Sequence, residues 1–108
     1  MTARRAAGVA VAFACTLAAA QSTEEPQFTP AQIKQGSQIF AQNCAPCHGT
    51  RMQDVQVAFD LRTLSRDQKA RFVLSVTKGK NQMPPWGDLF KAEEIEALWA
   101  YVIAGEKR

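Results

Sequence analysis

Residues 43–50 read NCAPCHGT and contain the chain's one His and two of its three Cys. Soft ligands this close together suggest three chemistries: a redox dithiol, a corner of a zinc site, or covalent attachment of a haem. Cys44-x-x-Cys47-His48 matches the attachment signature for c-type haem. In that chemistry each thiol adds across one porphyrin vinyl group and the adjacent imidazole lies under the iron. The tight spacing suits it, because both thioethers and the axial ligand must come from one turn of chain. A redox dithiol would be expected beside a strand–helix unit, and no alternating run long enough for a strand is visible. A zinc site needs a fourth ligand and commonly a second Cys or His pair. Beyond Cys44, Cys47 and His48 the sequence downstream offers only carboxylates without fixed spacing.

A single His leaves the other face of the iron to a Met thioether, a Lys amine, water or nothing. Met52 lies four residues past His48, too near for the chain to pass round the porphyrin edge. Met83 lies 35 residues on, in GKNQMPPWGD. Pro84 pushes Met83 toward an extended backbone, and Pro84-Pro85 stiffen the loop that would hold its sulfur. Met83 is therefore the candidate second axial ligand. With both axial positions filled by protein, substrate cannot reach the iron, and one-electron transfer through an exposed porphyrin edge remains. No catalytic pair is needed for that role, so an electron carrier rather than an enzyme is expected. Two alternatives stay open: a haem enzyme or gas-binding protein with an open sixth position, and a tightly bound haem subunit of a dehydrogenase or oxidase.

The start of the chain bears on where this chemistry takes place. MTARR is basic, and residues 6–20 form an apolar, Ala-rich run that closes on Ala18-Ala19-Ala20, the small-residue pattern of a signal-peptidase site. At 15 residues the run is shorter than the roughly 20 a membrane span requires. Residues 1–20 are thus expected to be a cleaved signal peptide, giving a periplasmic protein with no stable membrane insertion. Cleavage also removes Arg4, Arg5 and Cys15. Eleven basic residues then face ten acidic ones, about +1 rather than the +3 of the full chain, and nucleic-acid binding loses its main support. Export puts Cys44 and Cys47 in an oxidising compartment, where two thiols pair or are capped.

The elements that must position these residues are helical. Residues 21–28 are polar and read as a loose tail, with one domain over 29–108. Thr29 can cap a helix, Pro30 suits its first position, and Gln32 stands where a capping box needs it. Ile33, Gly36 and Phe40 then share a face, and the helix runs into Asn43 to deliver Cys44. A second helix starts at Ser65, with Gln68 completing a capping box; Phe72, Val73 and Val76 form its apolar side. Gly79 is placed to end it in the left-handed conformation. The third, over 92–105, puts Ile95, Leu98, Trp99 and Val102 on one face and closes at Gly105, but has no Ser, Thr or Asp before it as a cap. Long irregular stretches, about 50–64 and 80–91, separate these helices. Three helices with that much loop make a poor core, so something apolar should fill the middle; a porphyrin would do so.

CAPCHG, the late MPPWGD and a C-terminal amphipathic helix ending LWAYV resemble the class I c-type cytochromes over most of residues 29–105. The resemblance implies an all-α, cytochrome c-like fold, with three or more helices and long loops around one covalently bound haem c. It also implies crossed N- and C-terminal helices, with Gly36 and Phe40 on the first meeting Trp99 or Tyr101 on the last. Many family members place a Pro after the haem motif whose carbonyl accepts a hydrogen bond from the axial His. Residues 50–64 contain no Pro, so another carbonyl must orient His48. The C-terminal half is also similar to small cytochromes serving quinoprotein (PQQ) alcohol dehydrogenases. That similarity implies such an enzyme as donor and a terminal oxidase or another cytochrome as acceptor. Arg62, Arg66, Lys69, Arg71, Lys78 and Lys80 face a single intervening acid, Asp67. They form either a docking patch for an acidic partner or a solvated helix face.

Overall fold

Four α-helices follow from the local signals, in a computed structural model that describes residues 2–3, 8–12, 27–53, 55 and 58–106. Helix α1 spans Pro30–Asn43, and the Thr29 hydroxyl accepts from the Gln32 N–H at 3.1 Å. Helix α2 is a single turn, Ala45–His48, with Pro46 where the missing N–H leaves no bond unmade. Short 3₁₀ turns follow at Thr50–Met52, Leu61–Thr63 and Arg66–Gln68. The Ser65–Gln68 capping box forms, with the Gln68 Oε1 accepting from the Ser65 N–H at 2.9 Å. The turn it starts is 3₁₀, however, and α3 proper runs Lys69–Lys78. Helix α4 spans Ala92–Ala104, and its start is fixed by Glu94, whose carboxylate accepts from the Lys91 N–H at 2.9 Å. Among the described residues there are no strands, and no helix is long and apolar enough to cross a membrane.

Helices α1 and α4 meet where Gly36 lies against Ala97. A Cβ on Gly36 would stand 1.9 Å from the Ala97 carbonyl oxygen, so only glycine lets the two backbones come this close. Beside that contact Phe40 packs on Tyr101, with ring centroids 5.2 Å apart and tilted by 49°. Tyr101, not Trp99, is therefore the aromatic at the crossing. Trp99 turns to the other side of α4 and packs on Phe72 of α3, also at 5.2 Å. Ile95, Leu98, Trp99 and Val102 are all buried, as the periodicity requires, and Met52 and Leu64 join them from the connecting segments. Burial of each large side chain contributes about 1.5–3 kcal/mol.

Two boundaries differ from expectation. Phe28 is not part of a loose tail: it packs against the core, and the Arg66 guanidinium sits 4.9 Å from its ring centroid. Phe28 and Ile33 occupy the two positions of a hydrophobic staple around Thr29. Gly79 does have a positive φ, but at φ 75° and ψ 165° it lies in the extended region open essentially to glycine alone, not in the left-handed helical one. Gly105 closes α4 with right-handed angles, donating to the Tyr101 carbonyl at 2.7 Å. The expected signal peptide and the rest of the tail lie largely outside the described residues.

Candidate functional site

Cys44, Cys47 and His48 come together because α1 ends into the single turn of α2. The N–H groups of Cys47 and His48 both donate to the Cys44 carbonyl, at 3.2 and 2.9 Å. Cys44 is half-buried and Cys47 exposed, and neither is in a disulfide. Burial, with Cys47 beside it, pushes the Cys44 thiol up to about 11. An activated redox dithiol would show the opposite shift, and no strand adjoins the pair among the described residues. No group of three or more His, Cys, Asp or Glu among the described residues is arranged to hold a metal.

His48 is oriented by a carbonyl that the sequence did not identify. Its Nδ1 lies 3.0 Å from the Phe59 oxygen. A carbonyl can only accept, so Nδ1 carries the proton and Nε2 keeps the lone pair a metal would use. The next residue holds this segment in place. Asp60 caps the Leu61–Thr63 turn, accepting from the Arg62 N–H at 3.0 Å and from its Nε at 3.1 Å. An Asp at the head of a turn was the available signal that this stretch is ordered, but a backbone acceptor has no side-chain signature of its own.

Met83 is held by backbone. Lys80 donates to the Met83 carbonyl at 3.1 Å and Met83 donates back at 2.9 Å, across a tight turn in which Asn81 has φ 55°. The following segment then docks on the open end of α3: Trp86 N–H donates to Val76 O at 2.8 Å, and Gly87 N–H to Thr77 O at 3.1 Å. These bonds satisfy carbonyls that a helix end leaves without partners. Met52, by contrast, is a core side chain, 1 % exposed.

All four candidate residues, Cys44, Cys47, His48 and Met83, line one cavity of about 520 Å³. Phe40, Leu64, Phe72, Val76, Leu98 and Val102 supply its apolar surface. The volume lies in the range of about 300–1,000 Å³ typical of organic cofactor sites. Two thiols, an imidazole and a thioether around an apolar slot are a donor set that fits a haem.

The model of the family described as cytochrome c oxidase, cbb3-type, subunit III matches residues 31–102. The chain belongs to the c-type cytochromes. Cytochrome c6 of Microcystis aeruginosa is 39% identical over 74 residues, which cover 64% of this chain and 91% of that one. The quinohemoprotein alcohol dehydrogenase ADH IIB of Pseudomonas putida is 32% identical over 80 residues, 71% of this chain but 12% of the enzyme. Among solved structures, the c-type cytochrome NirC superposes with a TM-score of 0.57 at 28% identity, covering 73% of this chain and 96% of that one. This cytochrome is thus a small, helical member of an electron-carrier family, and it carries covalently bound haem c.

The basic residues between Arg62 and Lys80 differ in what they touch. Arg62 pairs with Asp60 at 3.1 Å and Lys69 with Glu96 of α4 at 2.8 Å. Arg66 lies over Phe28, while Arg71 and Lys80 reach the cavity itself.

Proposed function

We propose that this cytochrome is a periplasmic single-electron carrier, with haem attached through Cys44 and Cys47 and ligated axially by His48 and Met83. The observation that carries the reading is the convergence of these four side chains on one apolar cavity. The bound haem supplies a one-electron ferrous/ferric couple. The protein's part is positional. The Phe59 carbonyl holds the His48 Nδ1 proton, leaving Nε2 directed to ligation. The Lys80–Met83 turn and the two prolines after it present the thioether. The apolar surround keeps water from the iron, and His/Met ligation favours the ferrous state and raises the potential.

Similarity to a domain of a quinohemoprotein alcohol dehydrogenase and to an oxidase subunit family supports a quinoprotein dehydrogenase as donor and a terminal oxidase or another cytochrome as acceptor. The basic, Ala-rich start supports export, with cleavage after Ala20. A mass measurement on the exported protein then gives a chain beginning at Gln21 and one haem heavier.

The deciding experiment is an absorption spectrum of the exported protein, ferric and ferrous, beside Met83→Ala. A far-red ferric band of the Met–iron type, lost in the variant, is the expected result. A five-coordinate or water-bound spectrum in the wild type would overturn the carrier reading and point to peroxide or gas chemistry.

A further inference from the structure

We infer that Arg71 of α3 is a positioning residue for the His48 ring, acting through the side chain of Phe59. The inference rests on the reading of His48 as an iron ligand. Phe59 supplies the carbonyl that accepts the His48 Nδ1 proton at 3.0 Å. Its own ring is not buried in the core but stands at the cavity wall. What the ring does touch is a cation, for the Arg71 guanidinium carbon stands 4.8 Å from its centroid. That guanidinium is delivered from a fixed place. The next residue, Phe72, is buried against Trp99 of α4, so the helix carrying Arg71 cannot slide without opening the core.

Phe59 needs such a restraint. A proline at this point would be stiffened by its ring, whereas phenylalanine has no covalent restraint and depends on what its side chain touches. Downstream the chain is pinned, since the Asp60 carbonyl accepts from Thr63 Oγ1 at 2.7 Å and from Thr63 N–H at 3.1 Å. On the Phe59 side of that anchor the ring lies under Arg71, and a restraint on the ring limits how the attached peptide can turn. The strength of the Nδ1–H···O bond sets the orientation and basicity of a ligating imidazole. Arg71 therefore influences the iron through a ring and a carbonyl, without touching His48.

The test uses ferrous holoprotein, in which the His48 Nδ1 proton can be followed by NMR, and compares Arg71→Gln, Arg71→Lys, Phe59→Leu and the Arg71→Gln/Phe59→Leu double variant. A cation over an exposed ring contributes about 0.5–1 kcal/mol, so Arg71→Gln is expected to speed exchange of that proton about two- to fivefold. Phe59→Leu should do the same, Arg71→Lys should restore part of the protection, and the double variant should exchange no faster than either single one. Exchange unchanged in Arg71→Gln overturns the inference, as it would if the guanidinium served a haem carboxylate instead. Two single effects that add in the double variant overturn it too, because a direct charge effect needs no ring. The wild-type ferric spectrum reports the axial ligands separately, so a failure of the His48 assignment is not confused with a failure of the Arg71 relay.

Discussion

The two segments that bring candidate ligands to the cavity are built on different principles. The Cys44–His48 segment is one turn of helix in which sequence neighbours do the work, and its remaining freedom is taken up by one side-chain bond to Phe59 O from a distant segment. The Met83 segment has no such local regularity. It is held by four backbone hydrogen bonds, two within the Lys80–Met83 turn and two onto the end of α3. Ligand placement on the first side therefore depends on side chains that can be exchanged one at a time. On the second side it depends on backbone angles, and the sensitive positions are those where only a small residue can adopt them.

The Cys44–His48 segment continues α1, and the Met83 segment reaches α4 through α3, so the largest expected effect comes from filling the crossing of α1 and α4. In Gly36→Ala the new Cβ meets a backbone carbonyl at 1.9 Å, and no side-chain rotation relieves that clash. A cost of about 3 kcal/mol is expected, at the upper end for overpacking, read as a fall in the thermal midpoint of the holoprotein with both ligand segments loosened together. Gly79→Ala should come next and separate the two. At φ 75° the new Cβ would lie 2.6 Å from the Met83 carbonyl, and the expected cost is about 1–3 kcal/mol. The far-red ferric band should weaken while haem stays attached and the His48 Nδ1 proton stays protected. Loss of that protection in step with the band would mean that the two segments are not independent. Asn81→Ala, at φ 55°, tests the same turn more gently; about 1 kcal/mol is expected, since Asn tolerates this region better than Ala.

The legible parts of the molecule were those encoded by neighbours in sequence. Caps at Thr29 and Ser65 and the apolar face of α4 depend on spacings within two turns and were read from them, although Thr29 caps without a return bond from Gln32 and the Ser65 box opens a 3₁₀ turn before α3. The aromatic partner of Phe40 was narrowed to two because helical periodicity gives a face and not the identity of the helix opposite. Gly36 at Ala97 decides it, placing Tyr101 at the crossing and leaving Trp99 to Phe72. The His48 acceptor was illegible because every residue between 50 and 64 offers the same carbonyl. The basic run from Arg62 to Lys80 left two readings open for a related reason. It is continuous in sequence but crosses two 3₁₀ turns and a helix, and its partners Asp60 and Glu96 come from outside it.

The smallest expected effect concerns the link between the haem-motif segment and the end of α4, and its pH dependence gives it a sign. Arg51 and Met52 both have positive φ, 56° and 61°, two consecutive non-glycine residues in a region that L side chains rarely adopt. Met52 is anchored by burial. Arg51 is exposed and is held by a two-pronged bond to Glu106, at 3.2 and 2.9 Å, with the Tyr101 hydroxyl donating to the same carboxylate at 3.0 Å. The bond from Arg51 above all, and then that from Tyr101, holds Glu106 below the ordinary glutamate value of 4.5, against the effect of burial. Burial and the bond to Glu106 raise the Tyr101 phenol, so it stays a donor across the whole range. A carboxylate whose pKa is lowered on folding contributes stability that is complete above its unfolded value and fades as pH falls through the folded one. Glu106→Gln should therefore lower the thermal midpoint slightly at neutral pH, less than any glycine substitution above, and the gap to wild type should close below about pH 4. A gap that stays constant into acid would mean that Arg51 is held by shape rather than by charge. The clamp on the segment following His48 would then be indifferent to pH.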